Sequence, residues 1–449
     1  MIIAKFGGTS VSTPQNIQTI CHIVKKEKKR QPVIVVSALC TITDTLLALI
    51  HCTESERQKH FTIIKKIHHA LYTQVLPLKK QKIVQRYIDD CIQEMQNILA
   101  ENIQTKAQED IMLSYGEKMS SCFIAHVLQY QRIPAEQIIA AKLIITNNTF
   151  GSAEFLQAMT KKNVKKNLLP LLKNGIVPVV TGFIGATKNG HTTTLGRGGS
   201  DYTASIIGYA LQAEEIQIWT DVDGMYSADP RVVKDALFLA KISYREASEM
   251  ATFGAKILHP RTIHPAISAN IPVKILNTLH PEHPGTLVQK TKQTDADIAV
   301  VTCKKQTPLI TLYATDMLFR KGFLSRIFDV FTKHHISVDL VSVSEVSVSV
   351  TLDNTNNLSE AIHTLEKFTS VTKIDNHGVV AIIGEHIVGV SHILPNIFSL
   401  LEENNIRVHM ISYGATDINV SLVIPSDTIP AAVQILHDAL VLKKSQRLL

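Results

Sequence analysis

The chain has 449 residues, 45% hydrophobic and 19% charged, which excludes a disordered or fibrous protein and leaves room for about three domains. Its net charge of +7 (46 Lys+Arg against 39 Asp+Glu) suits an anionic ligand but is equally common in proteins that bind nothing charged. The basic runs 25–30 (KKEKKR) and 161–166 (KKNVKK) sit at polar ends of helical patterns without interleaved aromatics, so they read as solvated helix ends and nucleic acid is not an expected partner. In chain order, the apolar run Ile2–Phe6 predicts a strand, followed by Gly7-Gly8. Thr13 and Pro14 then supply a helix cap and a proline at the first helical position, and Ile17, Ile20 and Val24 carry the helical repeat. Pro32–Ala38 reads as a buried strand, and 80–99 as an amphipathic helix with Val84, Tyr87, Ile88, Cys91, Ile92, Met95 and Leu99 on one face. Strand candidates at 136–141, 175–182 and 215–220 lie between helices, and this alternation predicts an α/β sandwich with a mostly parallel sheet.

The texture changes after about Pro284, where short β-branched runs at 295–303, 336–341 and 345–352 surround short helices. An internal repeat appears at an ungapped offset of 70: Ile327-Phe328 recurs as Ile397-Phe398, Ile336 as Ile406, Val338 as Val408, Ser342 as Ser412, Val350 as Val420 and Leu352 as Leu422. Two copies of helix-then-two-strands mean paired α+β modules, too few for a solenoid. The six cysteines at 21, 40, 52, 91, 122 and 303 show no CxxC spacing and no Cys/His cluster, so neither a metal site nor a disulfide framework is expected. Reduced thiols, no signal-like leader and no apolar stretch of about 18 residues predict a cytoplasmic protein without a membrane partner.

Five segments carry candidate chemistry. In Lys5-Phe6-Gly7-Gly8-Thr9-Ser10 the glycines let backbone amides approach an anion, the helix start adds partial positive charge and Lys5 adds a full one. Alone, Lys-x-Gly-Gly serves a structural turn equally well. The stretch 192–201 (TTTLGRGGSD) holds Arg197, Ser200 and Asp201 in a glycine loop at a βα junction, where an Arg can clamp a carboxylate or phosphate. The bland alternative is a surface loop with a capping Ser-Asp pair. The stretch 220–231 (TDVDGMYSADPR) follows a strand, the position where α/β ligands bind; Pro230 and the missing twelfth-position Glu argue against a calcium loop. In FGAKILHP (253–260), Lys256 by itself reads as a surface lysine and His259 as structural, and Glu117 in SYGEKMS defaults to a solvated helix position.

Together these segments resemble the aspartokinases of the amino-acid kinase superfamily. KFGGTSV at 5–11, SYGEKMS at 114–120, TGFIGATKNGHTTTLGRGGSDYTA at 181–204, TDVDGMYSADPR at 220–231 and MATFGAKILHPRTIHPA at 250–266 carry the resemblance over nearly the whole chain. It implies an amino-acid kinase α/β/α sandwich over 1–285 and a regulatory region over 297–449. That region would hold two ACT modules of ferredoxin-like α+β fold, one at about 314–380 inserted into another made of about 297–313 plus 381–449. The implied reaction transfers the ATP γ-phosphoryl group to the side-chain carboxylate of L-aspartate, giving 4-phospho-L-aspartate at the head of lysine, threonine and methionine biosynthesis, with Mg²⁺ assisting and no dedicated protein metal site. Catalytic roles fall to Lys5, Arg197, Asp201 and Lys256, ATP contacts to Lys5, Gly7, Gly8, Thr220, Asp221, Tyr226, Arg231 and Lys256, and aspartate contacts to Thr43, Glu117, Arg197, Ser200 and Asp201.

The chemistry agrees with these residue types. A carboxylate with a pKa near 3.9 is already an anion at neutral pH, so it needs no general base. The barrier is charge crowding, relieved by fixed cations and positioning. One position departs from the family pattern: 37–43 reads SALCTIT, with Thr41 where a glycine is usual, and a φ above zero there would strain a threonine. The segment 316–350 is most similar to the lysine-inhibited subtype and implies an effector site at Met317, Phe323, Leu324, Val338, Asp339, Ser344 and Glu345, in which Asp339 and Glu345 suit a cationic ligand. The same resemblance implies a homodimer or tetramer paired through the ACT modules; a plain dimerisation module competes with the lysine-sensing one. Two rivals stay open: another amino-acid kinase of the glutamate or acetylglutamate type, and a catalytically silent amino-acid-sensing paralogue.

Overall fold

The computed structural model describes residues 1–442 apart from 102, 104, 255–257, 291–299, 315–320, 386, 390 and 415–417. The chain forms two compact units. The first comprises Met1–Met225, Leu239–Tyr244 and Leu258–Lys292; the second comprises Tyr226–Phe238, Arg245–Ile257 and Gln293–Leu449.

The first unit is built on an eight-stranded sheet. Its order is Lys241–Ser243, Thr286–Gln289, Val273–Asn277, Glu215–Thr220, Ile2–Phe6, Val33–Val36, Val177–Thr181, Ala135–Ile138. All neighbours run parallel except Val273–Asn277 against Thr286–Gln289. The central strands Ile2–Phe6 and Val33–Val36 are buried at every position, as expected of parallel strands covered on both faces. Ala4, Phe6, Ile34 and Val36 share one core with the helices Pro14–Glu27, Ile42–His51, Glu54–Val75, Leu78–Ala100 and Lys106–Tyr130. The helix Gly199–Leu211 covers the opposite face, with Gly208 packed near Ile3 and Ile216.

Local signals held in this unit. Thr13 caps the first helix by accepting from the Asn16 amide at 3.2 Å, and Pro14 takes its first position. The helix expected over 80–99 runs Leu78–Ala100; Tyr87 lies half-buried against the core that the other six face residues enter. The strand expected over 136–141 is shorter, Ala135–Ile138, because a 3₁₀ turn begins at Ala140.

The second unit contains two four-stranded antiparallel sheets. One is ordered Val338–Val343, Ser347–Leu352, Leu309–Tyr313, Ser370–Ile374; the other Val300–Lys304, His377–Ile383, Asn419–Pro425, Met410–Tyr413. The repeat read at offset 70 is visible in the backbone. Helices Phe323–Lys333 and Ile393–Glu403 are in register, each preceded by a left-handed residue (Gly322, His392) and followed by another (His335, Asn405). The paired residues Ile327 and Ile397, Val350 and Val420, and Leu352 and Leu422 are all buried.

Three segments depart from the expected boundaries; one of them, Arg245–Ile257, was expected in the catalytic stretch 1–285 and falls in the second unit. Leu309–Tyr313 was expected in the outer module but pairs with Ser347–Leu352 and Ser370–Ile374, so the inner module runs 309–374 and the outer one combines 300–304 with 377–442. The segment Tyr226–Phe238, expected in the catalytic stretch, packs with the second unit because Ala228 and Val233 share a core with Val301 and Leu436. There the Ser227 hydroxyl meets buried His437 Nε2 at 2.7 Å, and the Val301 amide donates to the Ser227 carbonyl at 2.8 Å.

Candidate active site

Among the described residues of the first unit, a cleft of about 570 Å³ is lined by Lys5, Thr43, Glu117, Arg197, Ser200 and Asp201. Those six were singled out by sequence, and the fold brings them together from four separate segments.

Lys5 is the polar exception in a buried strand. Its ammonium lies 2.7 Å from Asp201 Oδ1, an ion pair without hydrogen-bond alignment. Asp201 stands in the first turn of Gly199–Leu211, where the helix end favours negative charge. Gly196 and Gly198 have φ of 80° and 67°, which explains the glycines flanking Arg197. Arg197 itself is exposed at the rim of the cleft. The Gly7 amide is committed to the Trp219 carbonyl at 3.1 Å, so the amides open to an anion begin at Gly8. A Cβ at Gly7 would stand 3.5 Å from Lys5 Nζ, an ordinary contact distance.

Glu117 overturns its default reading as a solvated position. The helix Lys106–Tyr130 passes through the core and leaves Glu117 4% exposed. A Cβ at Gly116 would meet Ala38 Cβ at 2.8 Å, so glycine there lets the helix approach the 37–43 loop closely. That approach brings Glu117 Oε1 to 3.2 Å from the Ala38 amide, while Oε2 is buried without a partner. Burial pushes the Glu117 carboxyl up to about 8, against the lowering pull of that amide. A buried acid with one free oxygen facing a cleft suits a cationic group of a ligand. Thr41 occupies the left-handed region, with φ of 69°, just before the helix that carries Thr43. The strain expected of a threonine in place of glycine is therefore present.

At the end of Glu215–Thr220, the Thr220 hydroxyl donates to Asp221 Oδ1 at 3.1 Å, and the Thr220 carbonyl accepts from the Thr278 amide at 2.9 Å. Thr278 Oγ1 is 2.7 Å from Ser10 Oγ, which ties the glycine turn to this strand end. His259 caps Pro260–Ser268 by accepting from the Arg261 amide, the structural role expected of it. Tyr226 and Arg231 belong to the second unit: the Tyr226 ring packs edge-on against Phe238 at 5.7 Å, and the exposed Arg231 pairs with Asp229 at 3.2 Å. Lys256 lies outside the described residues. Sequence reasoning missed Asp110 and Phe183, which also line the cleft. Phe183 holds a φ of 68°, rare for a bulky residue, with its amide donating to Thr203 Oγ1 at 3.0 Å. The available signal for Asp110 was its seven-residue interval from Glu117 on one helix.

The expected effector residues are dispersed. Met317 lies outside the described residues. Phe323 packs into the inner-module core against Phe368, and Val338 packs against that core. Leu324 is exposed on the helix, while Ser344 Oγ closes a turn with Ser347 Oγ at 2.7 Å and Glu345 is exposed beside it. Asp339 already holds a cation: Lys304 Nζ lies 2.6 Å from its Oδ2 and 2.7 Å from Asp353 Oδ1. Burial raises the Asp339 carboxyl above the ordinary carboxylate value, and the same burial opposes the Lys304 charge, which the two carboxylates outweigh. A cavity of about 560 Å³ in this module is lined by Tyr313, Val346 and Phe368 and, among the described residues, includes none of those expected at the effector site.

The amino acid kinase family profile matches residues 1–277, and an ACT domain profile matches residues 380–440. Lysine-sensitive aspartokinase 3 of Escherichia coli is 35% identical over 452 residues, covering 98% of this chain and 99% of that protein. The chain is an aspartokinase, a member of the amino acid kinase family. Chloroplastic aspartokinase 1 of Arabidopsis thaliana is 32% identical over 97% of this chain and 79% of its own length. The crystal structure of E. coli aspartokinase III with aspartate and ADP (R-state) superposes with a TM-score of 0.87 at 33% identity, over 98% of this chain and 99% of that one. The lysine- and aspartate-bound T-state structure gives 0.84 at 34%, with the same coverage. As an aspartokinase the chain is a phosphotransferase that phosphorylates aspartate at its carboxylate, a step of amino-acid biosynthesis. No helix among the described residues is long and apolar enough to cross a membrane.

Proposed function

We propose that this aspartokinase holds L-aspartate in the cleft between Glu117 and Arg197 and draws the γ-phosphoryl group of ATP toward Lys5. The observation that carries this reading is the meeting of Lys5, Glu117, Arg197 and Asp201 in one cleft. Arg197 pairs with the α-carboxylate, and the unpartnered Glu117 Oε2 receives the ammonium. The substrate's side-chain carboxylate then attacks without a general base, since it is already ionised. Lys5 leaves Asp201 to meet the charge that accumulates on the transferring group, with backbone amides from Gly8 onward and the helix start beside it. Asp201 keeps the ammonium in place before the nucleotide arrives. Thr220 and Asp221 serve the nucleotide from the neighbouring strand end.

Among the described residues no group of three or more His, Cys, Asp or Glu is arranged to hold a metal. Mg²⁺ would enter on the nucleotide phosphates, with the Asp201 carboxylate as the acidic oxygen near them, and would supply neutralisation of phosphate charge. The E. coli relative named lysine-sensitive, whose T-state structure holds lysine and aspartate, supports inhibition of this chain by L-lysine, for which the inner module is our assigned site. We place the enzyme in the cytoplasm as a homodimer or tetramer joined through its ACT modules. An aspartate-dependent ADP-release assay, run with and without L-lysine, tests the reading. ADP release that depends on aspartate and falls with lysine supports it; glutamate-dependent release, or effector binding without turnover, overturns it.

A further inference from the structure

We propose that Asp110 is a positioning residue for aspartate binding, fixing the loop that presents Arg197 from the same helix that presents Glu117. The inference rests on the reading that Glu117 and Arg197 hold the two α-substituents of the substrate. Asp110 is 1% exposed. Its Oδ2 accepts from the Gly151 amide at 2.9 Å and the Thr194 amide at 2.8 Å, and its Oδ1 accepts from the Thr194 hydroxyl at 2.7 Å. No cation pairs with it among the described residues. A buried carboxylate is costly to hold, and here three neutral donors hold it.

Those donors lie on two walls of the substrate cleft. Gly151 and Thr194 both line it, and Thr194 leads through Leu195 and Gly196 to Arg197. The Ala153 amide binds the Thr194 carbonyl at 2.9 Å, so the two walls are also tied to each other. Asp110 and Glu117 stand two helical turns apart on one face, roughly 10 Å along the axis. The helix Lys106–Tyr130 thereby acts as a ruler between the acid that meets the ammonium and the loop that carries the guanidinium. Losing the Asp110 anchor leaves the loop's fold but frees Arg197 to wander, which weakens aspartate binding and spares the nucleotide.

The test is steady-state kinetics on the full chain with both substrates varied. Asp110→Ala is expected to raise KM for aspartate about tenfold with KM for ATP nearly unchanged. Asp110→Asn should recover most of the loss, since its amide oxygen can take both N–H bonds while the Thr194 hydroxyl turns to accept. Thr194→Val, which removes one bond and keeps the backbone, should raise KM for aspartate about threefold, and it carries the test if Asp110→Ala does not fold. In an Arg197→Met background neither change should weaken aspartate binding further. Unchanged KM for aspartate in these variants, equal increases for both substrates, or additivity with Arg197→Met overturns the inference. If Arg197→Met alone leaves KM for aspartate intact, the underlying site reading fails instead.

Discussion

In the catalytic unit, residues from strand ends, a buried helix and a glycine loop converge on one cleft; in the regulatory unit, residues expected to share an effector site part company into core, surface and ion pair. The contrast follows from how each is built. Parallel strands end on the same side, so loops that follow them are neighbours by topology, and charge buried there has few other uses. In an antiparallel module, successive residues of one strand alternate between faces, so adjacent positions such as Val338 and Asp339 serve different partners.

The convergent half breaks first if its cations are dispensable. Lys5→Ala and Asp201→Ala should each lower kcat by roughly 10²–10³-fold, a loss typical of removing one electrostatic contact in a closed site, with thermal unfolding little changed. Near-normal aspartate-dependent ADP release in both would dissolve the cleft as the site of chemistry.

A second, smaller effect sharpens the role of Glu117. Its carboxyl stays protonated below about 8, whereas the substrate ammonium is best met by the anion. Aspartate binding should then expel a proton at neutral pH, so KM for aspartate falls roughly tenfold as pH rises from 6 to 8, and Glu117→Gln flattens that slope. The sign for stability runs the other way. A raised acid stabilises the fold below the ordinary carboxylate value and loses that contribution as pH rises through about 8. Glu117→Gln should therefore melt higher than the parent at pH 9 and lose that advantage toward pH 5.

The dispersed half is sharpened by lysine titration. If lysine's ammonium is to reach Asp339, it must displace Lys304. Lys304→Met should lower the lysine concentration for half-inhibition about threefold, and Asp339→Ala should relieve inhibition. A curve flat up to high lysine would leave a dimerisation module and keep the kinase. The smallest expected effect is at Thr41: Thr41→Gly should stabilise the chain by roughly 0.5–1 kcal/mol, read as a higher melting temperature, because it removes left-handed strain at the cost of some chain entropy.

Much of this was legible in the residues. Thr13-Pro14, the run Glu215–Thr220 and the offset of 70 between Ile327 and Ile397 are local or periodic signals, and each survives as a cap, a strand and a repeated helix. Lys5, Arg197, Ser200 and Asp201 were legible because glycines and charges gathered at βα junctions, whereas Thr43 was reached only through the family resemblance. Glu117 was not legible from its pattern, since the burial of its helix comes from layers on both sides rather than from its own periodicity. Asp110 and Phe183 escaped because their partners, Thr194 and Thr203, are distant in sequence or carry no charge. The place of Leu309–Tyr313 escaped because strand runs do not state which sheet they join.

The strand Val300–Lys304 gives the two regulatory sheets unequal independence. Residues 309–374 contain every strand of their own sheet and could be transplanted as one uninterrupted piece. A fragment cut to the 380–440 bounds of the ACT match would begin inside His377–Ile383 and leave its flank without Val300–Lys304. Its open backbone groups would invite a foreign strand, so a soluble excision must carry the sequence from Val300 onward and bring the inner module with it.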